Sequence, residues 1–335
     1  MNRTPAKPKA LVLPSIPRLN NVCSEECRRL IDEAFDPVYN ESAKEWTPSE
    51  VAERIGDAEI ILTTWGSPVL TDELLEKAVK LRAIGHAAGT VKNRMPRAVF
   101  ERGIRVYSAA NRIALSVGEH CLAVLLLQLK KLQAFDRGVH QGGWNESKLK
   151  GNELTGATIG IVSASSTARE FIRLLAPFRV RVLLYDPYLS QERADQLGVQ
   201  IASLEEVMQC RIISVHAPSL PATYRMITEE HISMIPEGAV VINSSRGAVF
   251  DEEPFIRALT AGRFSAALDV FDKEPLVPEH PFRNLPNVLL TPHIAGASVE
   301  GHLSLMSCVV GDIIDGMNGK PTSFEVNEKM WDTMA

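Results

Sequence analysis

No stretch of this chain stays apolar for long. The longest such run, C-L-A-V-L-L-L at 121–127, falls far below the roughly 18 residues of a membrane span, so neither a span nor a membrane partner is expected. The first fifteen residues carry basic side chains, but their apolar run is only L-V-L at 11–13 before a proline. That is too short for the core of an export signal, and the expected location is the cytoplasm. Cysteine is scarce and odd in number, five in 335 residues, which fits free thiols in a reducing compartment. Cys23 and Cys27 stand one helical turn apart, yet no second Cys/His pair follows, so no metal site is expected. A basic excess is absent as well. With 36 Lys+Arg against 41 Asp+Glu the formal net charge is −5, and no Lys/Arg stripe is visible, which argues against a nucleic-acid partner. What is present is the composition of an ordinary globular protein, 45% apolar and 23% charged, at a length that suits two domains of about 100 to 200 residues each.

Strand-like and helix-like stretches alternate from the start, the pattern of parallel α/β units. A first series offers strands at 9–13, 59–63, 81–84 and 104–107, with helices at 25–35 and 72–79. A second offers strands at 158–162, 180–186, 211–215, 239–243, 264–269 and 287–290, the six of a doubly wound dinucleotide-binding sheet. Between them, residues 116–129 are apolar on too many sides for a surface helix, so they are read as a connecting helix near an oligomer contact, in a homodimer. Residues 298–317 read as one further helix that returns the chain to the first domain, and no regulatory extension is expected after the tail.

Glycine is missing where this pattern most calls for it. The strand A-T-I-G-I-V at 157–162 leads through small residues into the helix R-E-F-I-R-L-L at 169–175, the setting of a phosphate-cradling turn, and the turn's three glycine positions fall on Ser163, Ser165 and Ala168. Those glycines serve a tight bend, close approach of backbone to pyrophosphate, and packing of helix on strand. Ala168 meets the third need. Ser163 and Ser165 add a Cβ, at on the order of 1 kcal/mol wherever φ must be positive. Three features compensate: the positive end of the helix, the hydroxyls of Ser163, Ser165 and Ser166 with Thr167 beside them, and the capping power of serine. Asp186, in Y-D-P-Y about 18 residues beyond Ala168, has the spacing of an acid that binds ribose hydroxyls and would repel the extra phosphate of NADP. The expected cofactor is NAD.

Three short motifs lie at or after strand ends of the second series: I-N-S-S-R-G at 242–247, L-D-V-F-D-K-E-P at 268–275 and L-T-P-H-I-A-G at 290–296. Interconverting a 2-hydroxy acid and a 2-keto acid needs a base for the hydroxyl proton, a cation for the carboxylate and carbonyl oxygens, and a carboxylate that tunes the base. His293, Arg246 and Glu274 are those three parts.

With these motifs the chain resembles the D-isomer-specific 2-hydroxyacid dehydrogenases over nearly its whole length. The resemblance implies a flavodoxin-like substrate domain, 1–112 with 299–335, and a doubly wound dinucleotide-binding domain, 113–298. It also implies that Arg246, Glu274 and His293 are catalytic, with Arg246 and His293 touching substrate. H-A-P at 216–218 is similar to the loop beside the nicotinamide ribose, so His216, Ala217 and Pro218 are expected there, with Ser244 and Ser245 also on the cofactor and Asp269 facing the nicotinamide amide. The main-chain N–H groups of Ala88 and Gly89 would hold the substrate carboxylate, and Trp65 would form a pocket wall. Departures accompany these matches. A-A-G-T-V-K at 87–92 stands where relatives read G-V-G-V-D-N, Ile113 where they place Asn, and Ser166 where many carry Arg, with Arg169 a few residues on. The implied activity is hydride transfer between NAD(H) and a small D-2-hydroxy or 2-keto acid; a nucleotide-sensing or corepressor-type binding protein of the same fold is the alternative. A formate-oxidising relative would pair the histidine with Gln rather than Glu274, and Lys92, Arg94 and Arg97 leave a phosphoglycerate enzyme open.

Overall fold

The computed structural model describes residues 6–144, 148–332 and 334; the basic start at 1–5 lies outside them. The chain divides into two compact units, 1–113 with 297–335, and 114–296. Ile113, Ala297 and Ser298 therefore fall in the first unit rather than the second, and the Ile113 side chain packs against the first unit's core.

The first unit holds a six-stranded sheet made of β1 (Lys9–Val12), β2 (Asp36–Tyr39), β3 (Ile60–Thr63), β4 (Ala83–His86), β5 (Arg105–Ser108) and, near the chain end, β13 (Glu325–Val326). Their order is β13-β5-β4-β3-β1-β2, with β13 antiparallel to β5 and the rest parallel. The five parallel strands follow the flavodoxin-like order 2-1-3-4-5. β3 and β4 are buried throughout because helices cover both faces. Leu19, Val22, Cys27, Ile31, Val309 and Ile313 pack one face, and Val51, Ile55, Leu74 and Val99 the other. β2 and β13 are not expected from the sequence. β2 opens D-P, a turn signal, and its proline is tolerated because this strand lies at the sheet edge. The single helix expected at 298–317 is two, Val299–Leu303 and Leu305–Met317, parted at Ser304, whose hydroxyl donates back to the Gly301 carbonyl at 2.8 Å.

The second unit is a seven-stranded parallel sheet of β6 (Thr158–Val162), β7 (Arg181–Tyr185), β8 (Gln200–Ile201), β9 (Ile212–Val215), β10 (Val240–Asn243), β11 (Ser265–Leu268) and β12 (Val288–Leu290). The order β12-β11-β10-β9-β6-β7-β8 is doubly wound, with the topological switch between β6 and β9, where ligands of such sheets bind. β8 is unexpected; two residues at the edge are too few for a periodicity signal.

The connecting helix spans Ala110–Leu129, six residues longer at its start than its apolar pattern. By length and composition alone it is long and apolar enough to cross a bilayer. From residue 114 on it nevertheless packs within the second unit. Val117, Cys121, Val124, Leu125 and Leu129 are buried, Gly118 lets the backbone at Glu170 and Phe171 approach to 3.1 Å of where a Cβ would stand, and Gln128 donates to the Ala266 carbonyl at 3.0 Å. All five cysteines are free, and among the described residues no group of three or more His, Cys, Asp or Glu is placed to hold a metal ion.

Candidate active site

β6 ends in the glycine-poor turn. Ser163 adopts φ +75°, the left-handed conformation a glycine would supply, at on the order of 1 kcal/mol for a residue with a Cβ. Ser165 does not: at φ −59°, ψ 170° it is an ordinary N-cap of the helix Ser166–Leu175, its Oγ accepting the Ala168 N–H at 3.4 Å. The expected strain is therefore confined to Ser163. Its N–H donates to the Tyr185 carbonyl at 2.7 Å. Asp186, just beyond β7, accepts the Ala164 N–H at 2.8 Å and the Ser163 hydroxyl at 3.4 Å on one carboxylate oxygen, and the Tyr188 N–H at 2.8 Å on the other.

The hydroxyls expected on phosphate are mostly engaged elsewhere. Ser165 Oγ lies 3.0 Å from Thr167 Oγ1, which is 3.1 Å from His216 Nδ1, and His216 Nε2 meets Ser214 Oγ at 2.8 Å. Only Ser166 keeps a hydroxyl without a hydrogen bond among the described residues. It and Thr167 begin the helix, where N–H groups have no partner within it, so the turn offers two backbone donors, one hydroxyl and the helix dipole. Arg169 is half-buried; burial lowers its pKa and nearby Arg193 lowers it further. The arrangement fits a dinucleotide: unpaired donors for the pyrophosphate at the helix start, and an acid at the tip of β7 for the ribose.

The H-A-P loop departs from expectation in its side chains. His216 is buried between two hydroxyls with its ring 5.7 Å from Phe171, and burial pushes its pKa down to about 3, so it is a neutral structural link. Ala217 is buried too, and the Pro218 carbonyl accepts the Thr223 hydroxyl at 2.6 Å.

At the end of β10, Asn243 organises the turn that carries Arg246. Its Oδ1 accepts the Ser245 N–H at 3.1 Å and the Ser245 hydroxyl at 2.9 Å, while its Nδ2 donates to the Arg246 carbonyl at 2.9 Å. Ser245 thus points into the protein. Ser244 Oγ is buried without a hydrogen-bond partner among the described residues, beside the Cys121 thiol, which burial raises to about 12. The Arg246 guanidinium donates to the Ser245 carbonyl at 2.6 Å; burial lowers its pKa, and Glu274 opposes this. Gly247 is obligatory, since a Cβ there would land inside the backbone of Phe271 and Asp272, the loop that leads to Glu274.

Glu274 accepts the Phe271 N–H at 3.0 Å on Oε1 and meets His293 Nδ1 at 2.6 Å through Oε2. A carboxylate only accepts, so Nδ1 carries the proton and Nε2 of neutral His293 is a base, on a side chain that is half exposed. Asp269 builds the loop behind this pair. It is buried, and its carboxylate accepts the Thr291 hydroxyl at 2.6 Å and the N–H groups of Ile294 and Ala295 at 2.8 Å each, while its carbonyl accepts the His293 N–H at 2.8 Å. His293 itself sits at φ +56°. Asp269, expected on the nicotinamide amide, thus spends its carboxylate on positioning the histidine. Asn243 and Thr291 were present in the quoted motifs but carried no chemistry of their own to single them out.

In the first unit, Trp65 follows β3 and is 37% exposed, its ring 5.3 Å from that of His302. The Ala88 N–H is already donated to the His86 carbonyl at 2.8 Å, which removes it from the expected carboxylate pair. The Gly89 N–H makes no hydrogen bond among the described residues, and Ser108 holds its carbonyl at 2.5 Å. Beneath the loop His86 is buried with Nδ1 2.8 Å from Thr63 Oγ1; burial, and Arg94, push its pKa to about 3. Of the three basic residues that follow, Arg97 is paired with Glu328 and Asp332, and Arg94 donates to the Ser67 carbonyl at 3.2 Å.

Two doubly wound α/β units, the second with a dinucleotide-type turn and an Arg–Glu–His set at its strand ends, define a nucleotide-binding α/β protein of the dehydrogenase type. The model of the D-isomer specific 2-hydroxyacid dehydrogenase NAD-binding domain matches residues 122–295, and the chain belongs to that family. It is 34% identical to D-3-phosphoglycerate dehydrogenase of Archaeoglobus fulgidus over 257 residues, 76% of this chain and 49% of that one. It is 29% identical to glyoxylate reductase of Korarchaeum cryptofilum, over 84% of this chain and 86% of that one. Among solved structures, a phosphoglycerate oxidoreductase of Rhizobium etli is 27% identical with a TM-score of 0.82, covering 96% of this chain and 99% of that one. The chain spans about half the length of the first curated relatives it matches.

Proposed function

We propose that this protein is an NAD-dependent oxidoreductase that interconverts a small D-2-hydroxy acid and the corresponding 2-keto acid. The observation that carries the reading is the 2.6 Å bond between His293 Nδ1 and Glu274, which leaves Nε2 as the exposed base while Glu274 acts on Arg246 in the same unit. In the oxidation direction His293 Nε2 takes the hydroxyl proton, and in reduction it returns it to the carbonyl oxygen. Glu274 holds the tautomer and stabilises the imidazolium, and Arg246 offers a planar fork to carboxylate and carbonyl oxygens. Ser166, Thr167 and Asp186 would hold the dinucleotide, whose nicotinamide supplies hydride donation or acceptance when bound. In the first unit we assign substrate binding to the Gly89 N–H and the Trp65 ring.

Fluorescence titration with NADH and NADPH, followed by assays with glyoxylate, hydroxypyruvate and 3-phosphohydroxypyruvate, tests the reading. NADH binding with turnover of at least one keto acid is expected. Binding without turnover on a wider panel would favour the binding-protein alternative, and no binding would remove both.

We further place the protein in the cytoplasm as a homodimer. The free thiols support the first. The second rests on the helix Leu132–His140, which exposes Leu132 and Val139 by half, with exposed Trp144 just beyond. Sedimentation velocity of the wild type and of Leu132→Asp/Val139→Asp tests it; a monomeric wild type is the outcome against.

A further inference from the structure

A glycine at the first position of a phosphate turn reaches positive φ unaided, whereas a serine there stays only if its surroundings over-determine it. Around Ser163 those surroundings are few and identifiable. The Tyr185 carbonyl fixes its N–H at 2.7 Å, and the Asp186 carboxylate takes its hydroxyl at 3.4 Å together with the next N–H, that of Ala164, at 2.8 Å. Asp186 is itself anchored, its other oxygen accepting the Tyr188 N–H at 2.8 Å. The Tyr185 carbonyl thus holds the N–H of the left-handed residue, and the Asp186 carboxylate holds its hydroxyl and the N–H that follows, tying the turn to the end of β7.

We propose that Asp186 is a positioning residue of the phosphate turn: it holds Ser163 in the conformation that glycine would adopt by itself, and the presentation of the Ser166 and Thr167 donors to pyrophosphate depends on it. This rests on the NAD reading for its ligand, and adds to ribose binding a second role that exists because the glycine is gone. In a chain with glycine at 163 the same acid would be needed for the ribose alone. The two roles are separable because only the positioning role depends on which residue occupies 163.

The test is a double-mutant cycle on NADH affinity, with four proteins: wild type, Ser163→Gly, Asp186→Ala and the double variant. Asp186→Ala is expected to weaken NADH binding about tenfold more in the serine background than in the glycine background. An equal loss in both overturns the proposal and leaves Asp186 with the ribose only. Amide hydrogen exchange at Ala164 in the ligand-free proteins gives a readout independent of the cofactor. Exchange should speed up in Asp186→Ala and remain slow in Asp186→Asn, whose side-chain carbonyl still accepts the N–H; unchanged exchange in Asp186→Ala also overturns the proposal. If no variant binds NADH, the functional reading fails while the exchange experiment still decides the positioning role.

Discussion

His293 Nδ1 lies 2.6 Å from Glu274 Oε2, and the same Glu274 takes the Phe271 N–H through its other oxygen, so base and carboxylate are fixed on two loops of one unit. Replacing Glu274 by Gln keeps the shape but not the charge, and lets the side chain donate to Nδ1, which would place the proton on Nε2. We expect kcat to fall by about 10²-fold or more, with NADH affinity within about twofold of wild type. Steady-state rates with a keto acid and NADH titration check this; an unchanged kcat would leave Glu274 a purely structural partner.

His293→Ala removes the proposed base. Turnover is expected to drop by roughly 10²-fold or more while NADH still binds, because the side chain is half exposed and supports no core packing. A variant that turns over normally would return the assignment to another group.

Arg246→Lys is expected to be non-conservative. The guanidinium spans the Ser245 carbonyl and the neighbourhood of Glu274, and lysine has no fork to replace it. Loss of kcat/KM for the keto acid with the melting temperature nearly unchanged is the expected result, measured by initial rates and calorimetry; wild-type kcat/KM would count against the clamp.

His86 and His216 are buried with pKa values pushed down to about 3, far below the roughly 6.5 of an unfolded chain. Below pH 6.5 the unfolded state therefore binds more protons than the folded one, and stability falls with pH. It is complete above about 6.5 and is lost progressively toward about 3. Between pH 7 and pH 5 each histidine should remove on the order of 2 kcal/mol. Urea unfolding at the two pH values, for the wild type and His216→Gln, checks the sign and the size; a wild type equally stable at both would mean that these rings are not held neutral.

Ser163 and Ser165 should differ in what their replacement costs. Ser165→Ala removes the helix N-cap and is expected to cost about 1 kcal/mol. Ser163→Gly relieves the positive φ but loosens the unfolded chain, so stability should change by less than about 0.5 kcal/mol. Melting curves without cofactor separate the two; a large loss in Ser163→Gly would show that the serine side chain contributes more than the backbone geometry indicates.

Much of this was legible in the sequence. Alternation of strand and helix patterns marked two parallel α/β sheets, since central strands must be apolar on both faces to be covered by helices. Arg246, Glu274 and His293 were marked only together: alone, an Arg after a strand reads as a surface ion pair, a Glu before Pro as a loop solvator and a His after Pro as a core histidine, whereas a cation, a carboxylate and an imidazole at three strand ends complete one chemistry. Edge strands such as β8 escaped, because two half-covered residues leave no periodic trace.

What the sequence by itself determined is which groups are available: a cation, a carboxylate and an imidazole for the proposed chemistry, hydroxyls in place of glycines, an acid at the tip of β7. Only the tertiary structure decided how each is used. Hydrogen bonds between segments far apart in the chain commit Thr167 to His216, Ser163 and Ala164 to Asp186, and Asp269 to the loop of His293, while a bond to His86 takes the Ala88 N–H out of play. Composition and spacing fix what a side chain can donate or accept, but each donor is satisfied by whichever acceptor the folded backbone brings within about 3 Å, and that pairing is set by the packing of strands and turns.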